Sequence, residues 1–396
     1  VGIAILTLII GTLNPKGYID EISKKIAPWF AVAYLVALYL SIGPFFAIPR
    51  TATTAFSVGI EPMLPAGSHT IWLFAFTLVY FALAYLIALN PSKILDSIGR
   101  YLTPIFALLI VVLVVLGAAK YGSTAPQGAT AEYTASAFGA GFLQGYNTLD
   151  ALASVAFSVV AVTTLNQLGF KNKKEYISTI WVVGILVALG FSVLYIGLAF
   201  LGNHFPLNLA NLPKGANVGA SVLSSSTQAI FGPMAQIFLA IMVTVTCFTT
   251  TAGLIVSTGE FFHYTFSKVS YKVYATIFTL VGFAIANLGL NAIIQYSVPV
   301  LEILYPITIT IVMIVMVNRF LPLSKPGMQL TIAVVTLIAF ASILGRQFQL
   351  TAILNLVNAL PFAQSSLPWL LPALVGILLS LLLPNKQKSD AFEFEA

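Results

Sequence analysis

Apolar residues run in long blocks along this chain, near 1–13, 28–49, 70–89, 101–119, 137–165, 177–201, 233–257, 271–288, 292–318, 328–345 and 366–384. A hydrocarbon core about 30 Å thick is crossed by about 20 helical residues. The pattern therefore predicts ten full transmembrane helices after a first partial one. Basic residues between the blocks orient them. Lys16, Lys24, Lys25, Lys93, Arg100, Lys171, Lys173, Lys174, Lys268, Lys272, Arg319, Lys325, Lys386 and Lys388 fall on one side, and only Lys120, Lys214 and Arg346 on the other. Positive charge collects on the cytoplasmic side, so the C-terminus is expected there. Asp390, Glu393 and Glu395 read as a solvated acidic tail.

One block departs from the pattern of a plain span. Gly141-Phe-Leu-Gln-Gly-Tyr-Asn-Thr-Leu-Asp150 sits in the middle of 137–165, where Gly145, Asn147 and Thr148 favour a backbone break and Asp150 brings a carboxylate to mid-membrane depth. Lipid cannot satisfy freed N–H and C=O groups, so an irregular segment there must be buried in protein or line a wet cavity. An ionisable side chain at that depth points to function. The plainer alternative is a glycine kink with Asp150 capping the next half-helix. In the functional reading, a half-helix ending near Gly145 offers carbonyls to an ammonium or Na+, and one starting near Leu149 offers N–H groups to a carboxylate. A zwitterionic amino acid matches such a pair of ends.

Three other stretches carry candidate chemistry. Thr244, Thr246, Thr249, Thr250 and Thr251 put several hydroxyls at helical spacing, a hard-oxygen surface suited to Na+; alternatively each hydroxyl bonds back to its own helix. Gly43-Pro-Phe-Phe-Ala-Ile-Pro-Arg50 contains two prolines that deform a helix, and Phe45 and Phe46 are candidates to line an aliphatic pocket beside Tyr146. Arg50 either contacts solute or snorkels to the interface. Glu302 is a second intramembrane carboxylate, placed to relay protons or to pair with Arg50.

Composition narrows the class. With 59% hydrophobic and 8% charged residues, the chain is an all-α polytopic membrane protein. A net charge of +6 is dispersed through loops, which fits lipid contact and topology and not nucleic acid. The lone Cys247 admits no intrachain disulfide. His69, His204 and His263 are expected in loops without metal spacing, and no phosphate-cradling Gly-Lys-Ser/Thr occurs, which leaves an ion gradient as the energy source. No catalytic constellation beyond Asp150 and Glu302 suggests an enzyme. A channel would need polar residues along one continuous path, whereas here they cluster in the middle of spans.

The chain also echoes itself. Leu95–Ile105 aligns on Leu290–Val300 at an offset of 195, and Thr53-Thr-Ala55 on Thr250-Thr-Ala252 at 197, with opposite directions across the membrane in both pairs. This is the trace expected of an inverted five-helix repeat. The organisation expected is one transporter domain, 1–396, in which 1–119 is the remainder of a first repeat, 137–318 the second, and 328–384 two additional helices. By the same offset the partner of the Gly145 break falls upstream of Val1, so the first helix and part of the second are expected to precede this sequence.

At these residues the chain resembles the bacterial branched-chain amino acid:cation symporter family. Ile42-Gly-Pro-Phe-Phe-Ala-Ile-Pro-Arg-Thr-Ala-Thr-Thr54, Gly141–Asp150, Thr250-Thr-Ala-Gly-Leu254 with Glu260-Phe-Phe262, and Ser297-Val-Pro-Val-Leu301 carry the likeness. The resemblance implies Na+- or H+-coupled uptake of leucine, isoleucine and valine across the bacterial cytoplasmic membrane. It also implies an amino-acid-transporter (LeuT-like) fold of two inverted five-helix repeats plus two further helices. Carried over, Gly145, Tyr146, Thr148 and Asp150, with Asn147 beside them, line the substrate site, and Thr250 and Thr251, on the Thr249–Thr251 face, meet the cation. Another small neutral solute remains the alternative cargo.

Overall fold

A computed structural model describes residues 1–13, 17–65, 69–89, 93–167, 170, 172–208, 212 and 216–387. Lys16, Lys171, Lys214, Lys388 and the acidic tail lie outside the described residues. The molecule is helical almost throughout. In chain order come α1 (Gly2–Thr12), α2 (Gly17–Lys25), α3 (Pro28–Leu40), α4 (Ala47–Ala55), α5 (His69–Leu89), α6 (Lys93–Tyr121) and α7 (Ala131–Ala135). Then follow α8 (Ala137–Tyr146), α9 (Asp150–Gln167), α10 (Lys173–His204), α11 (Val218–Phe231), α12 (Ala235–Thr265) and α13 (Tyr271–Ala286). The chain continues with α14 (Leu290–Phe320), α15 (Lys325–Gln347), α16 (Thr351–Asn358) and α17 (Leu370–Leu382). The strands are two-residue pieces, Leu323–Ser324 antiparallel to Lys386–Gln387.

Among the described residues, seven helices are long and apolar enough to cross a membrane, and Gly2–Thr12, Tyr271–Ala286 and Leu370–Leu382 are shorter apolar helices. Of the ten full spans expected from the sequence, seven blocks hold such a helix; 137–165 is divided between α8 and α9, and 271–288 and 366–384 hold shorter helices. α10 has only 6% of its most apolar window buried, and its Leu186, Leu189 and Ile196 are mostly exposed, as lipid-facing apolar positions are. The chain is a multi-pass membrane protein.

Contacts divide the chain into two compact units, one of Val1–Leu38, Ala129–Leu189 and Val298–Ala396, the other of Tyr39–Gly128 and Gly190–Ser297. In the first, α1 lies along α9 and α15 along α17. A Cβ on Gly11 would stand 2.3 Å from the Ser158 Cβ, so the α1–α9 approach depends on glycine, the small-residue packing that lets helices touch in lipid. Below it Ile5 and Ile9 pack with Tyr176 and Ile180.

In the second unit α12 is the spine, contacting α4, α5, α6, α11 and α13. Two π-helical turns, Ser41–Phe45 and Phe56–Ile60, interrupt the path from α3 to Met63. The first holds Pro44 and a non-helical Gly43 (φ −87°, ψ −122°), the deformation expected of the Gly-Pro pair. Side chains brace both turns, and Phe56 and Ser57 of the second also line a hollow of about 250 Å³. Thr258, fully buried, sits where a Gly43 side chain would be, with its Cγ2 2.9 Å from the ideal Cβ. At the second turn Gln236 donates to the carbonyls of Val58 (2.8 Å) and Gly59 (2.9 Å). It accepts in turn from Ser224 at 2.8 Å.

Candidate functional site

The break in the 137–165 block is present, between α8 and α9. Ser136 caps α8 by accepting from the Gly139 N–H at 3.2 Å, and α8 ends at Tyr146. Three consecutive i→i+3 bonds then tighten the chain: Asn147 N–H to Gln144 O, Thr148 N–H to Gly145 O and Leu149 N–H to Tyr146 O, at 3.1, 3.3 and 3.1 Å. Leu149 takes φ +63°, a left-handed conformation strained for any residue with a branched bulky side chain. It is held there by burial, 6% exposed. α9 begins at once with Asp150.

Thr148 joins the two half-helices. Its hydroxyl donates to Gly145 O at 2.8 Å and accepts from the Asp150 N–H at 3.4 Å. Two consequences follow. The last carbonyls of α8 already accept hydrogen bonds, from the tightened turn and from Thr148, so they are weaker cation ligands than a bare helix end. At α9 the first-turn N–H groups have no partners within the helix, but Asp150 itself supplies the negative charge that this positive end attracts.

Tyr146 anchors the break. It is 4% exposed and stacks on Tyr305 with ring centroids 4.2 Å apart. Beside it opens a cavity of about 430 Å³, whose lining includes Gln144, Tyr146, Asn147, Leu301, Glu302 and Arg346. That volume lies within the range of about 300–1,000 Å³ of small-molecule sites. A second hollow of about 120 Å³ shares Tyr146, Glu302 and Arg346 and extends to Trp369.

The first unit thus brings together Tyr146, Asn147 and Glu302, with Gly145, Thr148 and Asp150 adjoining in the same break. A cation partner of Glu302 is Arg346. The Arg346 guanidinium forms a two-pronged ion pair with the carboxylate, and its Nε donates to Ser342 O at 3.3 Å. Arg346 was missed as a site residue because the apolar run stops at residue 345, which marked it as a loop charge. α15 continues through it to Gln347. Trp369 carried no sequence signal, being one aromatic at the edge of an apolar block.

The remaining candidates lie in the second unit. Phe46 is buried and Phe45 is 41% exposed, and Arg50 is half-buried in α4. Thr249 and Thr250 both donate to Thr246 O, at 2.9 and 3.0 Å, and Thr251 donates to Cys247 O at 3.0 Å. Thr251 is fully buried, with the hydroxyls of Thr51 at 2.5 Å and Tyr80 at 2.8 Å, while Thr250 is exposed. These two therefore face different directions, as neighbours on a helix must. Among the described residues no three His, Cys, Asp or Glu side chains gather as a metal site. The histidines are not in loops: His69 opens α5, and His204 and His263 fall in the last turns of α10 and α12.

Seven helices long and apolar enough to cross a membrane among the described residues, with a break between α8 and α9 beside a cavity of mixed polar and apolar lining, define a multi-pass membrane protein with room for a small solute. The chain belongs to the branched-chain amino acid transport protein family, whose model matches residues 1–387. It is 36% identical over 402 residues to a "putative branched-chain amino acid carrier protein" of Staphylococcus haemolyticus, covering 100% of this chain and 89% of the relative. A likewise named protein of Staphylococcus aureus (strain USA300) matches with the same identity and coverage. One of Staphylococcus saprophyticus is 36% identical over 404 residues, covering 100% of this chain and 90% of the relative.

Proposed function

We propose that this protein is a secondary symporter that carries leucine, isoleucine and valine into the bacterial cytoplasm, driven by a Na+ or H+ gradient. The observation that carries the reading is the Asn147–Leu149 turn beside a cavity of about 430 Å³ that Glu302 and Arg346 also line, roomier than the hollow of about 250 Å³ at the Phe56–Ile60 turn. Bare peptide groups at membrane depth persist only where protein or water meets them, and a break kept open to a cavity is the arrangement transporters use to hold solute.

In this reading Gly145, Tyr146, Asn147, Thr148 and Asp150 line the substrate site, and Phe45 and Phe46 serve the aliphatic side chain. The Thr249–Thr251 face supplies oxygen to the coupling cation. The hydroxyl hydrogens of Thr249 and Thr250 are spent on the Thr246 carbonyl, which leaves their lone pairs as ligands, whereas the Thr251 oxygen is already shared with Thr51 and Tyr80. The positive-inside balance supports a cytoplasmic C-terminus, and the echoes at 95/290 and 53/250 support an inverted-repeat architecture. The test is uptake of labelled leucine by the purified chain in proteoliposomes under an inward Na+ gradient, a proton gradient or neither. Saturable uptake that needs one gradient and is competed by isoleucine and valine is expected. Uptake that neither saturates nor follows any gradient would point to a channel and overturn the reading.

A further inference from the structure

We propose that Glu302 and Arg346 recognise the two charges of the amino acid substrate, Arg346 taking its carboxylate and Glu302 its ammonium. The inference rests on the transport reading above and assigns charge recognition to side chains outside the broken helix.

The ends of the break are poorly placed to do this work alone. The carbonyls of Gln144, Gly145 and Tyr146 each accept a bond from the tightened turn, and Gly145 O takes a second from Thr148. Asp150 stands in the first turn of α9, and a negative charge there disfavours a second anion at the same helix end. A zwitterion in the cavity therefore needs a strong anion and a strong cation from elsewhere.

Both are present on the same wall. Glu302, from α14, and Arg346, from α15, line the 430 Å³ cavity together with Gln144, Tyr146 and Asn147, and both line the smaller hollow as well. Their side chains are 12% and 53% exposed, so the carboxylate is fixed and the guanidinium has room to turn. A charged pair inside a membrane protein is costly to bury, and there it usually marks a solute or ion pathway. A guanidinium grips a carboxylate through two parallel N–H bonds, and in the structure Glu302 occupies that fork. An arriving α-amino acid can substitute its own carboxylate on Arg346 while its ammonium neutralises the released Glu302. Two ion contacts replace one and no charge is left unpaired.

The experiment uses the full chain in proteoliposomes and leucine uptake competed by two analogues that each lack one charge. 3-Methylbutylamine has no carboxylate and 4-methylpentanoate has no ammonium. Arg346→Gln is expected to shrink the preference for leucine over the amine by about tenfold or more while leaving the preference over the acid near the parent value. Glu302→Gln is expected to do the reverse. Arg346→Lys and Glu302→Asp, which keep charge and are gentler on folding, should shift the same ratios in the same directions by less. If leucine uptake falls in these variants while both ratios stay at parent values, the pair is structural and the proposal is overturned. If the parent protein shows no leucine uptake, it is the transport reading that fails.

Discussion

Replacing Gln236 with leucine probes how this fold tolerates irregular backbone inside a membrane. The Gln236 side chain is 3% exposed and donates to Val58 O and Gly59 O at 2.8 and 2.9 Å, inside the π turn Phe56–Ile60. Its carbonyl accepts from Ser224 at 2.8 Å and from Gln228 at 3.3 Å. Leucine matches the volume and removes every one of these bonds. Hydrogen bonds between membrane helices average about 0.6 kcal/mol each, so the three shortest set a floor of about 2 kcal/mol. Orphaned buried groups in soluble proteins cost about 1–3 kcal/mol each, which raises the expectation to about 4 kcal/mol. At about 2 °C per kcal/mol, the thermal midpoint in detergent should fall by about 4–8 °C. Ser224→Ala, which leaves the carbonyl contacts intact, should fall by about 2 °C. Val193→Ala, at a 53% exposed position on α10, serves as the unaffected control. A Gln236→Leu midpoint equal to that of the control would refute the idea that side chains brace this turn.

Other expectations concern transport and packing. Asp150→Ala should abolish leucine uptake in protein that inserts normally, and near-parental uptake would reject its place in the site. If sodium is the coupling ion, Thr250→Ala should raise the sodium concentration for half-maximal uptake by about tenfold, read from uptake against sodium at constant pH; an unchanged value would remove Thr250 from the cation site. Gly59→Leu should prevent folded expression, because a Cβ there stands 2.9 Å from the Ala240 Cα and backbone cannot yield as a side chain does. A monodisperse Gly59→Leu protein in detergent would contradict that contact.

Much of the architecture is legible in hydropathy, because oil imposes a length and an apolar content on every span. Seven of the ten expected full spans hold a helix long enough to cross, and the Gly, Asn and Thr near 145–148 marked the interruption. The left-handed turn is carried by Leu149, for which no local preference speaks; burial of its side chain holds the conformation. α11 escaped the pattern because Ser221, Ser224, Ser225, Ser226, Thr227 and Gln228 make it too polar for an apolar block. Its function is to meet α12 through Ser224 and Gln236, a tertiary demand that periodicity does not record. The hydroxyls of Thr249–Thr251 recur at helical spacing, yet Thr250 and Thr251 face apart, since spacing alone does not say which face meets a neighbour. Arg346 read as a loop charge because its partner, Glu302, lies 44 residues away in sequence.

Whether the Asn147–Leu149 turn meets solute can be read from the reactivity of a thiol placed in it. In a Cys247→Ser background, Thr148→Cys presents a thiol at an exposed position of the break for a small water-soluble maleimide. Labelling that leucine slows and lysine does not is the expected result. A thiol that never reacts, or one that reacts at the same rate with saturating leucine present, would contradict the account.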